Sequence, residues 1–95
     1  MHRAAVERSL RDTHARLVKA RQELAVIDEQ LMIFADAADD ARLRSLVSET
    51  PGAAYEHSDA QRHADAFTRA RQALVERIGE LERRQDELLG QLVID

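Results

Sequence analysis

The chain has 95 residues and a net charge of −4, from 14 basic and 18 acidic residues. Apolar residues make up 44% of it and aromatics only 3%, so a core must be built from Leu, Ile, Val and Ala. The absence of Cys excludes disulfides, thiolate metal sites and a Cys nucleophile. Many charged residues with few Gly and Pro are typical of long helices, so we expect at most one all-α domain.

The distribution of charge and apolar residues bears on partners and location. Acidic and basic residues are interspersed, so we expect no direct contact with nucleic acid. The N-terminus lacks the apolar core of a signal peptide, and the longest apolar run, 31–35, is too short to span a bilayer. We therefore expect a cytoplasmic protein without membrane contact. Frequent Ala, Arg and Asp with little Lys suggest a high-GC bacterial source.

A heptad repeat runs through each half of the chain. In the first half only Thr13 is polar among the a and d positions, and Val6 extends the d series backwards. In the second half the exceptions are Arg71 and Gln85. The first-half positions are Leu10, Thr13, Leu17, Ala20, Leu24, Ile27, Leu31, Phe34, Ala38 and Ala41. The second-half positions are Ala60, Ala64, Phe67, Arg71, Leu74, Ile78, Leu81, Gln85, Leu88 and Leu92.

A turn separates the two repeats. Pro51 fits the first position of a helix, and Thr50 before it is a good N-cap. We predict a single domain over 1–95, with a helix at about 3–47, a turn at 48–50 and a helix at about 51–93. Equal arms around a short turn predict a long antiparallel helical hairpin, a coiled coil. The acidic segment 36–40 leaves an alternative open, in which Asp39 or Asp40 caps a separate short helix over 41–47.

The register follows if the turn is centred on Glu49. Residues equally far from Glu49 then face each other, so that Phe34 faces Ala64 and Leu31 faces Phe67, and polar Thr13 and Gln85 also pair. Arg71 falls opposite Ile27, and we expect its stem to pack while its guanidinium reaches Asp28 or a partner carboxylate. A role for Arg71 or Gln85 in fixing register or dimer pairing is the alternative.

The first helix carries a second apolar stripe at neighbouring b and c positions, away from the seam, with Leu43 beside its far end. One interpretation is a wide core-facing stripe. The other, which we favour, is a docking surface, because two helices cannot cover both faces. A second copy is the simplest partner, giving a twofold dimer and a four-helix bundle. The interaction candidates are Val18, Val26, Met32, Ile33, Leu43, Leu46 and Val47.

Residues with catalytic or metal-binding chemistry are sparse. Asp59 and His63 have the i, i+4 spacing of a helical metal pair, but a solvated helix face is the better interpretation. Glycines 52, 79 and 90 are isolated and form no phosphate loop. We therefore expect no metal, no cofactor and no enzymatic activity.

These features predict a homodimeric coiled-coil adaptor or regulator that binds a further, unidentified protein. Helix faces or the hairpin tip would be presented to that protein. The tip candidates are Glu49, Thr50 and Tyr55.

Two alternatives remain. In outline, the predicted hairpin resembles the coiled coils that enter the secondary channel of RNA polymerase, such as the transcript-cleavage (Gre) factors. That resemblance implies a tip that contacts the polymerase through paired acidic residues, whereas this tip has Glu49 alone and Asp39 and Asp40 lie well down the arm. The chain also lacks room for the second domain of that family. The other alternative is a ligand-sensing bundle, with Arg71 and Gln85 as candidate contacts.

Overall fold

The computed structural model describes residues 2–94, which form two helices in a hairpin. Helix α1 spans His2–Ser48 and helix α2 spans Pro51–Ile94. Both ends of each helix lie within one residue of the predicted positions. Met1 and Asp95, which the single-domain prediction includes, lie outside the described residues. Neither described helix contains a stretch both long and apolar enough to cross a bilayer.

Helix α1 is continuous through its acidic segment. The alternative of a separate short helix capped by Asp39 or Asp40 is therefore wrong. Aspartates are poor interior helix residues, but the alanines between them have the highest helix propensity. Ala38 and Ala41 are also buried in the seam, so packing holds the backbone helical where propensity alone is weak.

The turn between the helices is held by its own backbone and one side chain. Glu49 adopts a left-handed conformation with φ of 50°, and its N–H donates to the carbonyl of Ser45 at 3.1 Å. The Ala53 N–H donates to Thr50 Oγ1 at 3.1 Å, and α2 begins at Pro51. The predictions of Thr50 as N-cap and Pro51 as first helical residue are confirmed.

The described residues form two compact units. The first unit comprises the described part of Met1–Leu24 and Ala73–Asp95. Its buried side chains all fall at predicted a and d positions and include five large apolar residues, which give it an aliphatic core. They are Val6, Thr13, Leu17, Ala20, Leu74, Ile78 and Leu88.

The second unit comprises Ala25–Gln72. Among its described residues the buried side chains are all alanines: Ala38, Ala41 and Ala64. The larger seam residues Ile27, Leu31, Phe34 and Phe67 are only half-buried. The second unit therefore gains less from its own seam than the first unit does, because stabilisation by burial scales with the apolar area removed from water.

The heptad prediction is confirmed within each unit, since every predicted a and d position is buried or half-buried. The repeat also continues towards the turn, where Ser45, Ala53 and His57 are half-buried at the next seam positions. The predicted a and d positions stop short of these three residues.

Candidate protein-interaction surfaces

The second unit exposes six large apolar side chains on the outer face of α1, at heptad positions b, c and f. We call this set the outer patch: Val26, Met32, Ile33, Leu43, Leu46 and Val47. Met32 and Ile33 are 68% and 66% exposed and Val47 is 85% exposed. The interpretation of the stripe as a wide core-facing surface is therefore wrong for this unit, because these side chains are not covered by the hairpin itself.

Val18 belongs to the same predicted stripe but lies in the first unit. It is 39% exposed, the least of the seven predicted interaction residues. On α2 the first unit also exposes Val75, Leu89 and Val93. Exposed apolar residues in this unit are thus fewer, which fits its larger aliphatic core.

Three aspartates interrupt the outer patch. Asp36, Asp39 and Asp40 occupy f, b and c positions between Ile33 and Leu43, and all three are exposed. The carboxylate of none of them forms a hydrogen bond or an ion pair with another described residue. This acidic segment therefore presents three free carboxylates on the same face of α1 as the apolar residues.

The predicted tip residues have separate structural roles. Glu49 is exposed and supplies the left-handed residue that ends α1. Thr50 is exposed but its hydroxyl is used in capping α2. Tyr55 lies just past the first turn of α2 and is 65% exposed. Of the three, Tyr55 offers the largest side-chain surface to a partner.

Tyr55 borders a shallow groove of about 400 Å³ in the second unit. Its floor is apolar, from Phe34, Ala37, Ala41 and Ala60, and its rim carries Arg44, Glu56, Asp59 and His63. The groove exists because Ala37 is too small to cover the seam from its g position. A protruding apolar side chain of another protein fits such a surface.

Phe34, which lines this groove, makes two aromatic contacts. The Phe34 ring lies 4.8 Å from that of Phe67 and 5.6 Å from that of His63, both stacked. His63 and Phe67 bracket Ala64, the predicted partner of Phe34. Matching residues that are equally far from Glu49 does not predict this cluster. Side chains lean towards the N-terminus of their own helix, so in a hairpin Phe34 and Phe67 lean towards each other.

Charged residues beside the seam form pairs between the helices within each unit. In the first unit Arg21 Nη2 lies 3.6 Å from Glu82 Oε2, and in the second Arg44 Nε lies 3.8 Å from Glu56 Oε2. The sequence places Arg21 and Glu82 at e positions and Arg44 and Glu56 at g positions. In an antiparallel coiled coil, e positions lie beside e positions and g positions beside g positions. These two ion pairs therefore agree with the predicted heptad register.

The two polar seam positions behave differently. Arg71 is half-buried and its Nε donates to Asp28 Oδ1 at 2.6 Å, which confirms the predicted pairing of its guanidinium with Asp28. Gln85 is half-buried and its predicted partner Thr13 is buried. Arg71 and Gln85 are also the candidate contacts of the ligand-sensing alternative, and the Nε of Arg71 is the atom that Asp28 engages.

The Asp59 and His63 pair is an exposed surface pair. His63 Nε2 lies 3.7 Å from Asp59 Oδ2, and Arg62 Nη2 donates to the other Asp59 oxygen at 3.2 Å. Among residues 2–94, no group of three or more metal-ligating side chains is placed to hold a metal ion. Asp59 is thus shared between two neighbours on its own helix.

Comparison with known proteins gives no relative. No protein-family model matches the chain, and no curated protein or solved structure matches it significantly. The outer patch, the acidic segment and the tip groove are therefore the features from which a function can be proposed.

Proposed function

We propose that this chain is a non-enzymatic coiled-coil protein-interaction module, a homodimeric adaptor or regulator that acts by binding another protein. One observation carries the proposal. The second unit fully buries only alanines in its own seam and leaves six large apolar side chains exposed on the outer face of α1. Exposed apolar side chains of this number on one helix face, here in two groups on either side of the acidic segment, are unusual on a monomer and indicate a docking site.

Covering the outer patch with a partner is energetically favourable. Burying two or three side chains of the outer patch contributes several kcal/mol at about 1.5–3 kcal/mol each.

A second copy is the partner that every such chain has available. In a twofold dimer the two α1 helices pack through their outer faces and form the centre of a four-helix bundle. The α2 helices then lie outside, and the tip with Tyr55 and its groove stays free. A dimer of this kind presents two identical tips, which suits an adaptor that binds another protein at each tip.

The solution mass tests the dimer directly. Light scattering over a concentration series should give twice 10.8 kDa for the wild-type chain. Ile33→Glu should give the monomer mass, because a carboxylate would be buried in the interface. Ala66→Glu is the matched control, since Ala66 is an exposed c position of α2, as Ile33 is of α1. This control should remain a dimer.

The second half of the proposal concerns the tip. Wild-type dimer and a Tyr55→Ala dimer, immobilised separately, should capture different proteins from a cell extract, with one or more partners lost on the variant. Circular dichroism should show equal helicity for both. A wild-type chain that stays monomeric at all concentrations contradicts the homodimer, and identical capture by both dimers contradicts a role for the tip.

A further inference from the structure

We propose, resting on the homodimer above, that the second copy docks antiparallel along α1 and that this orientation is selected by charge. The outer face of α1 is basic on its first-unit part and acidic on its second-unit part. The basic segment comprises Arg8, Arg11 and Lys19, and the acidic segment comprises Asp36, Asp39 and Asp40. All six occupy b, c or f positions, the same heptad letters as the outer patch.

The basic segment contains one acidic residue on the same face, Asp12. Arg16 Nε lies 3.2 Å from Asp12 Oδ2, so this carboxylate is compensated within its own helix. Lys19 is exposed and forms no ion pair with any described residue, and Arg11 donates to the backbone carbonyl of Glu7 at 3.5 Å. The basic segment therefore has cationic groups available to a partner.

The acidic segment is also uncompensated, because none of its three carboxylates has a partner among the described residues. A parallel dimer would place each segment beside its own copy and bring like charges together. An antiparallel dimer places the basic segment of each chain beside the acidic segment of the other. Complementary charge of this kind fixes the orientation of a docked pair and disfavours the alternative one.

The apolar residues fit the same orientation. The outer patch begins at Val26, immediately after the first unit ends, and Met32 and Ile33 precede the acidic segment. An antiparallel pair therefore brings Val26, Met32 and Ile33 of the two chains together near the middle, with opposite charges further along α1 on both sides.

Lys19 makes the orientation measurable, since it is the single lysine of the chain. A carbodiimide joins an amine directly to a carboxylate, so it reports which carboxylates lie beside Lys19. An equimolar mixture of unlabelled and ¹⁵N-labelled chains distinguishes links within a chain from links between chains. The expected mixed-isotope link joins Lys19 to Asp36, Asp39 or Asp40. Mixed-isotope links to Asp12 or Glu23 would indicate a parallel dimer and overturn the proposal.

Charge reversal tests the same contacts by affinity. Arg11→Glu/Lys19→Glu and Asp36→Lys/Asp39→Lys should each raise the dimer Kd by about 100-fold, because like charges then face each other at both ends. An equimolar mixture of the two variants should form a heterodimer close to wild-type affinity, since both contacts again join opposite charges. Asp86→Lys/Glu87→Lys is the matched control on the outer face of α2 and should leave the Kd unchanged.

The outcomes separate this proposal from the one on which it rests. A monomeric wild-type chain removes the homodimer and this orientation together. A dimeric wild type whose reversed variants fail to combine keeps the homodimer and overturns the antiparallel orientation. Circular dichroism of each variant checks that it is still folded. We expect no loss of helicity, because the substituted positions are exposed and Lys and Glu have better helix propensity than Asp.

Discussion

Arg71 Nε donates a hydrogen bond to Asp28 Oδ1 at 2.6 Å, joining the two helices within the second unit. Arg71 occupies an a position in an otherwise apolar part of the seam. The Arg71 and Asp28 side chains are 42% and 47% exposed, so water screens the pair and its contribution to stability is about 0.2–1 kcal/mol. The seam therefore gives up apolar burial at this position for a weak ion pair.

Arg71→Leu should accordingly increase the free energy of unfolding by about 1 kcal/mol, because Leu fills an a position and has a helix propensity similar to that of Arg. Urea denaturation at one fixed protein concentration measures the change. Combining it with Asp28→Asn in a double-mutant cycle should give a coupling energy of about 0.5 kcal/mol. A coupling above about 2 kcal/mol, or new oligomers in Arg71→Leu, would instead assign the pair a role in specifying the partner.

The left-handed backbone of Glu49 provides a second prediction. An L-residue in this conformation costs about 1–2 kcal/mol, which Gly avoids. Gly also loses more chain entropy on folding, so Glu49→Gly should stabilise the chain by a net amount of about 0.5–1 kcal/mol. The control is Ala54→Gly, at an exposed helical position, which should destabilise by about 1 kcal/mol. Equal effects of the two substitutions would contradict the conformation of Glu49.

The cap on α2 provides a third. Thr50→Ala removes the acceptor of the Ala53 N–H and should cost about 1 kcal/mol. Thr50→Ser keeps a hydroxyl in place and should retain most of the stability. Thermal melts of the three chains at equal concentration give the comparison, and a Ser variant as unstable as the Ala variant would show that the hydroxyl is not what matters.

The seam was predictable because a heptad repeat specifies which side of each helix faces the other. Leu17, Ile78 and Leu88 are buried as the repeat predicts. The turn was predictable in part, since Thr50 and Pro51 carry the signals of a helix start. The conformation of Glu49 had no such signal, because Gly and Asn, the residues that usually mark a left-handed position, are absent there.

The candidate surfaces were predictable to a different extent. Exposure of Met32 and Ile33 follows from the repeat, since b and c positions point away from the seam. The tip groove does not, because it depends on the small size of Ala37 at a g position and on the lean of Phe34 and Phe67 along their helices. Periodicity encodes which face a residue occupies, whereas side-chain volume and direction decide where a groove opens.

The last prediction separates folding from association by comparing two leucines of α1. Leu17 is 1% exposed in the first unit, and Leu17→Ala should cost about 3 kcal/mol at every protein concentration, because it leaves a cavity. Leu46 is exposed in the second unit, so Leu46→Ala should cost less than about 0.5 kcal/mol for the isolated chain. In a dimer that uses the outer patch, however, Leu46→Ala should also reduce the concentration dependence of unfolding, because association stabilises the folded state by mass action. Denaturation of the wild type and both variants at two protein concentrations, roughly a hundredfold apart, measures the concentration dependence of unfolding. The wild-type unfolding midpoint could instead stay the same at both concentrations, with Leu46→Ala unfolding at that same midpoint. That result would indicate that the outer patch is left uncovered in solution.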